Sequence, residues 1–157
     1  MGFSRRHFLE LTGAAGVAAS AAMPAAAAPE PRKLAKNDSI QFAIIGAGGM
    51  GMGDVRTALS VGGTAVVGAC DLYTGRLARV KERWGDQVKT TRDYRDVLAR
   101  PDVDAVIVAT PDHWHSKIAI DALAAGKDVY LQKPMIQRLE DGPPLVAAAA
   151  KSDRILH

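Results

Sequence analysis

From residue 40 onward the chain alternates short apolar runs with longer stretches whose apolar residues recur every three or four positions. The runs at 40–45, 64–70, 104–110 and 128–132 are near-continuous rather than alternating. That is the pattern of strands buried on both faces. A shorter strand is expected at 88–91. Between the runs, 49–60, 74–84 and 115–125 have helical spacing. Asp93 is placed as the N-cap of a short helix reaching Leu98, and Gly126 as a left-handed stop after 115–125. The segment 139–152 reads as a helix whose start moves towards Asp141, because Pro143 is tolerated only in a first turn. Residues 154–157 begin a further strand. This alternation predicts an α/β fold, a doubly wound parallel sheet with helices on both faces and a ligand at the carboxyl ends of its strands.

The turn after the first run reads Gly46-Ala47-Gly48-Gly49-Met50-Gly51, and Asp71 follows 20 positions later. A strand, a G-x-G-x-x-G turn, a helix and an acid at that distance together form a dinucleotide-binding pattern. Gly46 allows a tight turn, Gly48 lets the backbone approach a pyrophosphate, and Gly51 lets the helix pack against the sheet. The N–H groups of the helix's first turn, at Gly49 and Met50 among others, face the phosphates. Asp71 is expected to accept hydrogen bonds from the adenosine ribose. Arg76 could reach a 2′-phosphate, but Asp71 would repel that group, so NAD is favoured over NADP.

The first 28 residues read as an export signal. Ser4-Arg5-Arg6-His7-Phe8-Leu9 precedes a weakly apolar stretch, and Ala26-Ala27-Ala28 offers a small-residue cleavage site. The paired arginines followed by Phe-Leu are those of a twin-arginine signal, so the translocase of that pathway is an expected partner and the periplasm the expected destination. An uncleaved signal would instead anchor the protein; Gly and Pro interruptions argue against a stable span. Residues 29–38, rich in Pro and Lys, read as a linker, and 39–157 as the dinucleotide-binding domain.

Composition narrows the remaining choices. The net charge is +3, and acidic and basic residues are interspersed without a basic stripe, which argues against nucleic acid. Cys70 is the only cysteine, so an intrachain disulfide is excluded, and its apolar setting marks a buried small residue. His113 and His115 lie two apart and cannot share a helix face, so no metal site is expected.

If a ligand lies at the strand ends, the segments there should carry the chemistry. They are Thr110-Pro111-Asp112-His113-Trp114-His115 and Gln132-Lys133-Pro134. With the glycine turn and Asp71, this set resembles the Gfo/Idh/MocA family of NAD(P)-dependent oxidoreductases, from about Asp38 to the end of the chain. The resemblance implies a Rossmann-type domain in which Thr110, Pro111 and the loop through His115 line the nicotinamide side. It implies that Lys133 contacts the substrate hydroxyl and assists proton transfer, with a cis bond before Pro134. Gln132 stands where the family more often has Glu, which removes a negative charge beside Lys133.

The resemblance further implies a second α/β domain that supplies substrate contacts, additional catalytic residues and the oligomer interface. The sequence is therefore expected to be truncated before that domain, leaving apolar surface and a sheet edge uncovered. Three functions follow. The first is the NAD-binding part of an exported oxidoreductase acting on sugar- or polyol-type hydroxyls. The second is an NAD-dependent glycoside hydrolase of the same family, and the third a non-catalytic dinucleotide-binding remnant.

Overall fold

The computed structural model describes residues 39–157, so the expected export signal and linker lie outside the described residues. Five strands form one parallel sheet: β1 (Ile40–Ile45), β2 (Thr64–Cys70), β3 (Lys89–Thr91), β4 (Ala105–Val108) and β5 (Asp128–Leu131). Their spatial order is β3-β2-β1-β4-β5. The order reverses direction beside β1, which creates a crevice at the carboxyl ends of β1 and β4, the switch point of a doubly wound sheet.

Alternate side chains of the strands feed two cores. Phe42 and Ile44 point towards α1 (Gly49–Ser60) and α2 (Thr74–Trp84), meeting Met52, Val55, Leu77 and Val80. Ala43 and Ile45 point the other way, towards α3 (Tyr94–Leu98), α4 (His115–Ala124) and α5 (Gly142–Lys151). Val55, Val80, Val106 and Val108 are fully buried. Each such aliphatic side chain contributes about 1.5–3 kcal/mol relative to exposure. Both faces being covered explains why the strands read as continuous apolar runs.

The sequence expectations for the elements hold with local changes. β4 is shorter than 104–110. Asp104 leaves the strand, its Oδ2 accepting the Gln41 N–H at 2.7 Å. Asp93 caps α3 through a bond from the Arg95 N–H at 2.9 Å. α4 ends at Ala124, and Gly126 has φ +72°. The expected helix 139–152 divides into a 3-10 turn, Leu139–Asp141, and α5, with proline in its first turn. A second 3-10 turn, Asp112–Trp114, was not anticipated. Leu156 bridges Val129 in parallel, in the position of a further strand beside β5. Along β1, β4 and β5 beside α1 lies an apolar groove of about 490 Å³, with Tyr130 and Ile155 exposed. No helix among the described residues is long and apolar enough to cross a membrane.

Candidate functional site

The site begins where β1 turns into α1. Gly46 has φ +97°, and a Cβ there would lie 2.5 Å from the Ala109 carbonyl oxygen. At Gly51 a Cβ would collide with the Gly46 carbonyl and the Ile44 side chain. Gly46 and Gly51 are thus required by the protein's own packing. Gly48 differs: the nearest atom to a Cβ there is Arg76 Nη1 at 3.8 Å, so the space beside it is open. The first helical bond of α1 runs from the Met52 N–H to the Gly48 carbonyl at 2.9 Å. The N–H groups of Gly49, Met50 and Gly51 precede it, in the turn where helix donors lack intrahelical partners. The first turn carries no acidic side chain and no side-chain cap. An anion there would meet free donors and the positive end of the helix dipole.

Asp71, at the end of β2, is buried, and its carboxylate is already engaged. Oδ2 accepts the Ala47 N–H at 2.9 Å and Arg76 Nη1 at 3.3 Å, and Oδ1 accepts the Tyr73 N–H at 2.9 Å. Of about four acceptor directions on a carboxylate, one on Oδ1 remains. The acid expected to bind a ribose therefore also anchors the glycine turn. A cavity of about 620 Å³ opens here, walled by Gly46, Asp71, Tyr73, Arg76, Thr110 and Trp114. Tyr94 and Arg95 line its far side, the Arg95 guanidinium lying 4.7 Å from the Tyr94 ring centre. Burial pushes the Cys70 thiol in this wall up to about 12, with the Asp71, Asp93 and Asp96 charges adding to the effect.

A second, smaller cavity of about 210 Å³ lies on the other side of the switch point, bounded by Met50, Thr110, Asp112, Gln132, Lys133 and Pro134. The structure thus brings the first turn of α1 and both strand-end segments to one place. Lys133 is exposed, and the Lys133–Pro134 peptide is cis. Thr110 Oγ1 is buried without a hydrogen-bond partner. An orphaned hydroxyl and an open glycine position at a helix N-terminus are features that a bound dinucleotide would satisfy, so the residues fit that group. Pro111, with ψ 143°, turns the chain out of β4 into the 3-10 turn.

His115 also lines the smaller cavity, and both of its ring nitrogens lie against backbone carbonyls. Its ring is 2 % exposed, with Nδ1 2.7 Å from the Pro134 carbonyl and Nε2 2.8 Å from the Thr110 carbonyl. Both partners accept only, so neutral imidazole bonds one of them and imidazolium both. The ring ties together the two segments that flank the smaller cavity. His113 is exposed, and Trp114 is partly exposed, tilted on Tyr94 with ring centres 6.5 Å apart.

One polar contact of the site escaped the sequence reading: Gln132 Nε2 donates to Asp54 Oδ2 of α1 at 2.8 Å. The charge that Gln132 lacks is supplied next door by Asp54. Among the described residues no cluster of three or more His, Cys, Asp or Glu side chains could hold a metal ion.

Comparison with known proteins agrees with this geometry. The model of the Gfo/Idh/MocA oxidoreductase family, an NAD-binding Rossmann fold, matches residues 40–157. Glycosyl hydrolase family 109 protein 2 of Shewanella sp. strain ANA-3 is 31% identical over 174 residues, covering 98% of this chain and 38% of the relative. The WlbA dehydrogenase of Chromobacterium violaceum, solved with NADH and UDP-GlcNAcA, is 30% identical with a TM-score of 0.68, covering 78% of this chain and 35% of that one. A 3-ketoreductase of Actinomadura kijaniata, solved as its Y186F mutant with TDP-benzene and NADP, is 28% identical with a TM-score of 0.67, covering 75% and 36%. The chain thus spans well under half the length of the proteins it matches. By its glycine turn, its strand-end segments and its sheet order, the chain belongs to the Gfo/Idh/MocA oxidoreductase family, in the NAD-binding Rossmann domain.

Proposed function

We propose that the chain is the dinucleotide-binding part of an exported oxidoreductase that acts on sugar- or polyol-type hydroxyls, with NAD as its cofactor. The observation that carries this reading is the meeting of the α1 first turn with exposed Lys133 across one small cavity at the strand ends. Gly46, Gly48, Gly49, Met50 and Gly51 hold the pyrophosphate, and Asp71 offers its remaining acceptor direction to the ribose. Thr110 and Pro111 line the nicotinamide side, and His115 acts there indirectly by holding the Thr110 and Pro134 carbonyls. NAD, when bound, supplies the hydride acceptor. Lys133 hydrogen-bonds the substrate hydroxyl and takes or returns its proton, while Gln132 and Pro134 shape the turn that carries it. Asp71 beside Arg76 favours NAD over NADP, since its charge opposes a 2′-phosphate.

The paired arginines Arg5 and Arg6 support export by the twin-arginine pathway. That pathway is understood to carry folded proteins, and a periplasm holds no ready nicotinamide supply. The cofactor would then travel with the protein and be recycled in place.

A second reading, glycoside cleavage, has its own support in the name of the Shewanella relative; it would run through transient oxidation of the sugar, with the cofactor restored each cycle. Both readings share the hydroxyl proton transfer at Lys133. Product analysis on a longer polypeptide containing this sequence separates them. Accumulating NADH supports the dehydrogenase, glycoside cleavage without net NADH supports the hydrolase, and NAD binding with neither leaves a binding module. For the chain itself, calorimetric titration should show NAD binding. Gly48→Val should weaken it about 100-fold or more, since a branched side chain blocks several backbone donors at once. Equal affinity in the two proteins overturns the pyrophosphate assignment.

A further inference from the structure

Asp54 lies one turn into α1 from Met50, and its carboxylate reaches across 78 positions of sequence to the Gln132 side chain. Gln132 makes three bonds. Nε2 donates to Asp54 Oδ2 at 2.8 Å, Oε1 accepts the Lys133 backbone N–H at 3.2 Å, and its own backbone N–H donates to the Val108 carbonyl at 3.0 Å. A carboxylate can only accept, so Asp54 decides which end of the Gln132 amide faces it. The amide nitrogen must point to α1, which leaves the oxygen for Lys133. With an apolar residue at position 54 the amide would lose that orienting partner.

We infer that Asp54 is a positioning residue: its carboxylate orients the Gln132 amide, and that amide sets the Lys133 backbone relative to the first turn of α1. The inference rests on the reading of α1 and Lys133 as two walls of one dinucleotide-dependent site. α1 presents its N-terminal donors at one end of this connection, and Lys133 stands at the other. Hydride transfer demands that cofactor and proton-transfer group keep a fixed spacing, and misplacement by about 1 Å can cost about a hundredfold in rate. The pair is also matched in charge. Glutamate at 132 would set a second carboxylate against Asp54, whereas asparagine at 54 with glutamate at 132 would restore the contact with donor and acceptor exchanged.

The test is amide hydrogen exchange followed by NMR on the isotopically labelled full chain, with melting temperature measured alongside. Asp54→Ala and Gln132→Glu should each speed exchange of the Lys133 amide about tenfold, the size expected from loss of one hydrogen bond. Amides of β1 and β2 should keep their wild-type rates. The double variant Asp54→Asn/Gln132→Glu should return the Lys133 rate to near wild type. Its asparagine amide donates to the introduced carboxylate, whose second oxygen still accepts the Lys133 N–H. Uniform acceleration of all amides, an unchanged Lys133 rate in the folded single variants, or failure of the double variant to rescue overturns the inference. If Asp54→Ala does not fold, Gln132→Glu and its rescue decide the matter alone. Absence of NAD binding by the wild-type chain would remove the functional reading while leaving these exchange rates informative about the positioning contact.

Discussion

The Asp71 carboxylate accepts the Ala47 backbone N–H at 2.9 Å, so the acid that ends β2 holds the glycine turn that ends β1. The same oxygen receives Arg76 Nη1 at 3.3 Å, and Arg76 is also the nearest side chain to the open space at Gly48. Turn, acid and arginine form one unit rather than three separate contacts.

Replacing Asp71 should therefore have two separable effects. Asp71→Ala should destabilise the chain by about 1–3 kcal/mol, because the buried backbone donor at Ala47 and the part-buried one at Tyr73 lose a charged acceptor. It should also release Arg76 and remove the charge that opposes a 2′-phosphate, raising NADP affinity relative to NAD. Chemical denaturation reads the first effect, and parallel titrations with both dinucleotides read the second. Arg76→Ala should change stability little, its side chain being 46% exposed. An unaltered NADP-to-NAD preference in Asp71→Ala would show that the acid does not discriminate between them.

The glycines of the turn should divide by what surrounds them. Gly51→Ala forces a methyl against the Gly46 carbonyl and Ile44, and should cost about 1–3 kcal/mol by overpacking. Gly46→Ala adds the strain of φ +97° to a clash with Ala109. Gly48→Ala meets nothing closer than 3.8 Å and should melt with the wild type. Thermal melts of the three variants test this ordering, and a large loss at Gly48 would contradict the open geometry.

The fold was legible because β1, β2 and β4 are covered by helices and are therefore mainly apolar, and because Asp93, Gly126 and Pro143 mark helix ends by local chemistry. The strand-end segments were legible as a group for the same reason: sheet topology collects them at one edge. Contacts that join distant parts of the chain were not. Asp54 is a polar residue on a helix, indistinguishable in sequence from a solvated one, and its partner is 78 positions away. Nor does the sequence record that His115 is held between the Thr110 and Pro134 carbonyls. The later start of β4 goes with Asp104 turning its carboxylate to the β1 backbone, a choice that apolar patterning does not record.

Cys70 offers a test of the buried wall beside Asp71. Its thiol is pushed up to about 12 by burial, reinforced by the negative charges of Asp71, Asp93 and Asp96. The folded chain should therefore resist thiol-disulfide reagents at pH 8 and react only on unfolding, because the thiolate is the reactive form. The same shift links the thiol to stability. The folded state holds the proton more tightly than the unfolded state, so the protonated thiol's contribution is complete below the unfolded value, near 9, and is lost as pH rises towards 12. Wild type should thus lose stability relative to Cys70→Ala above pH 9, by at most about 1.4 kcal/mol for each pH unit. Urea unfolding of both proteins at pH 8, 9 and 10 measures the difference. A gap that stays constant across that range would mean the thiol titrates alike in both states, and rapid labelling of the folded chain at pH 8 would place Cys70 outside the buried wall.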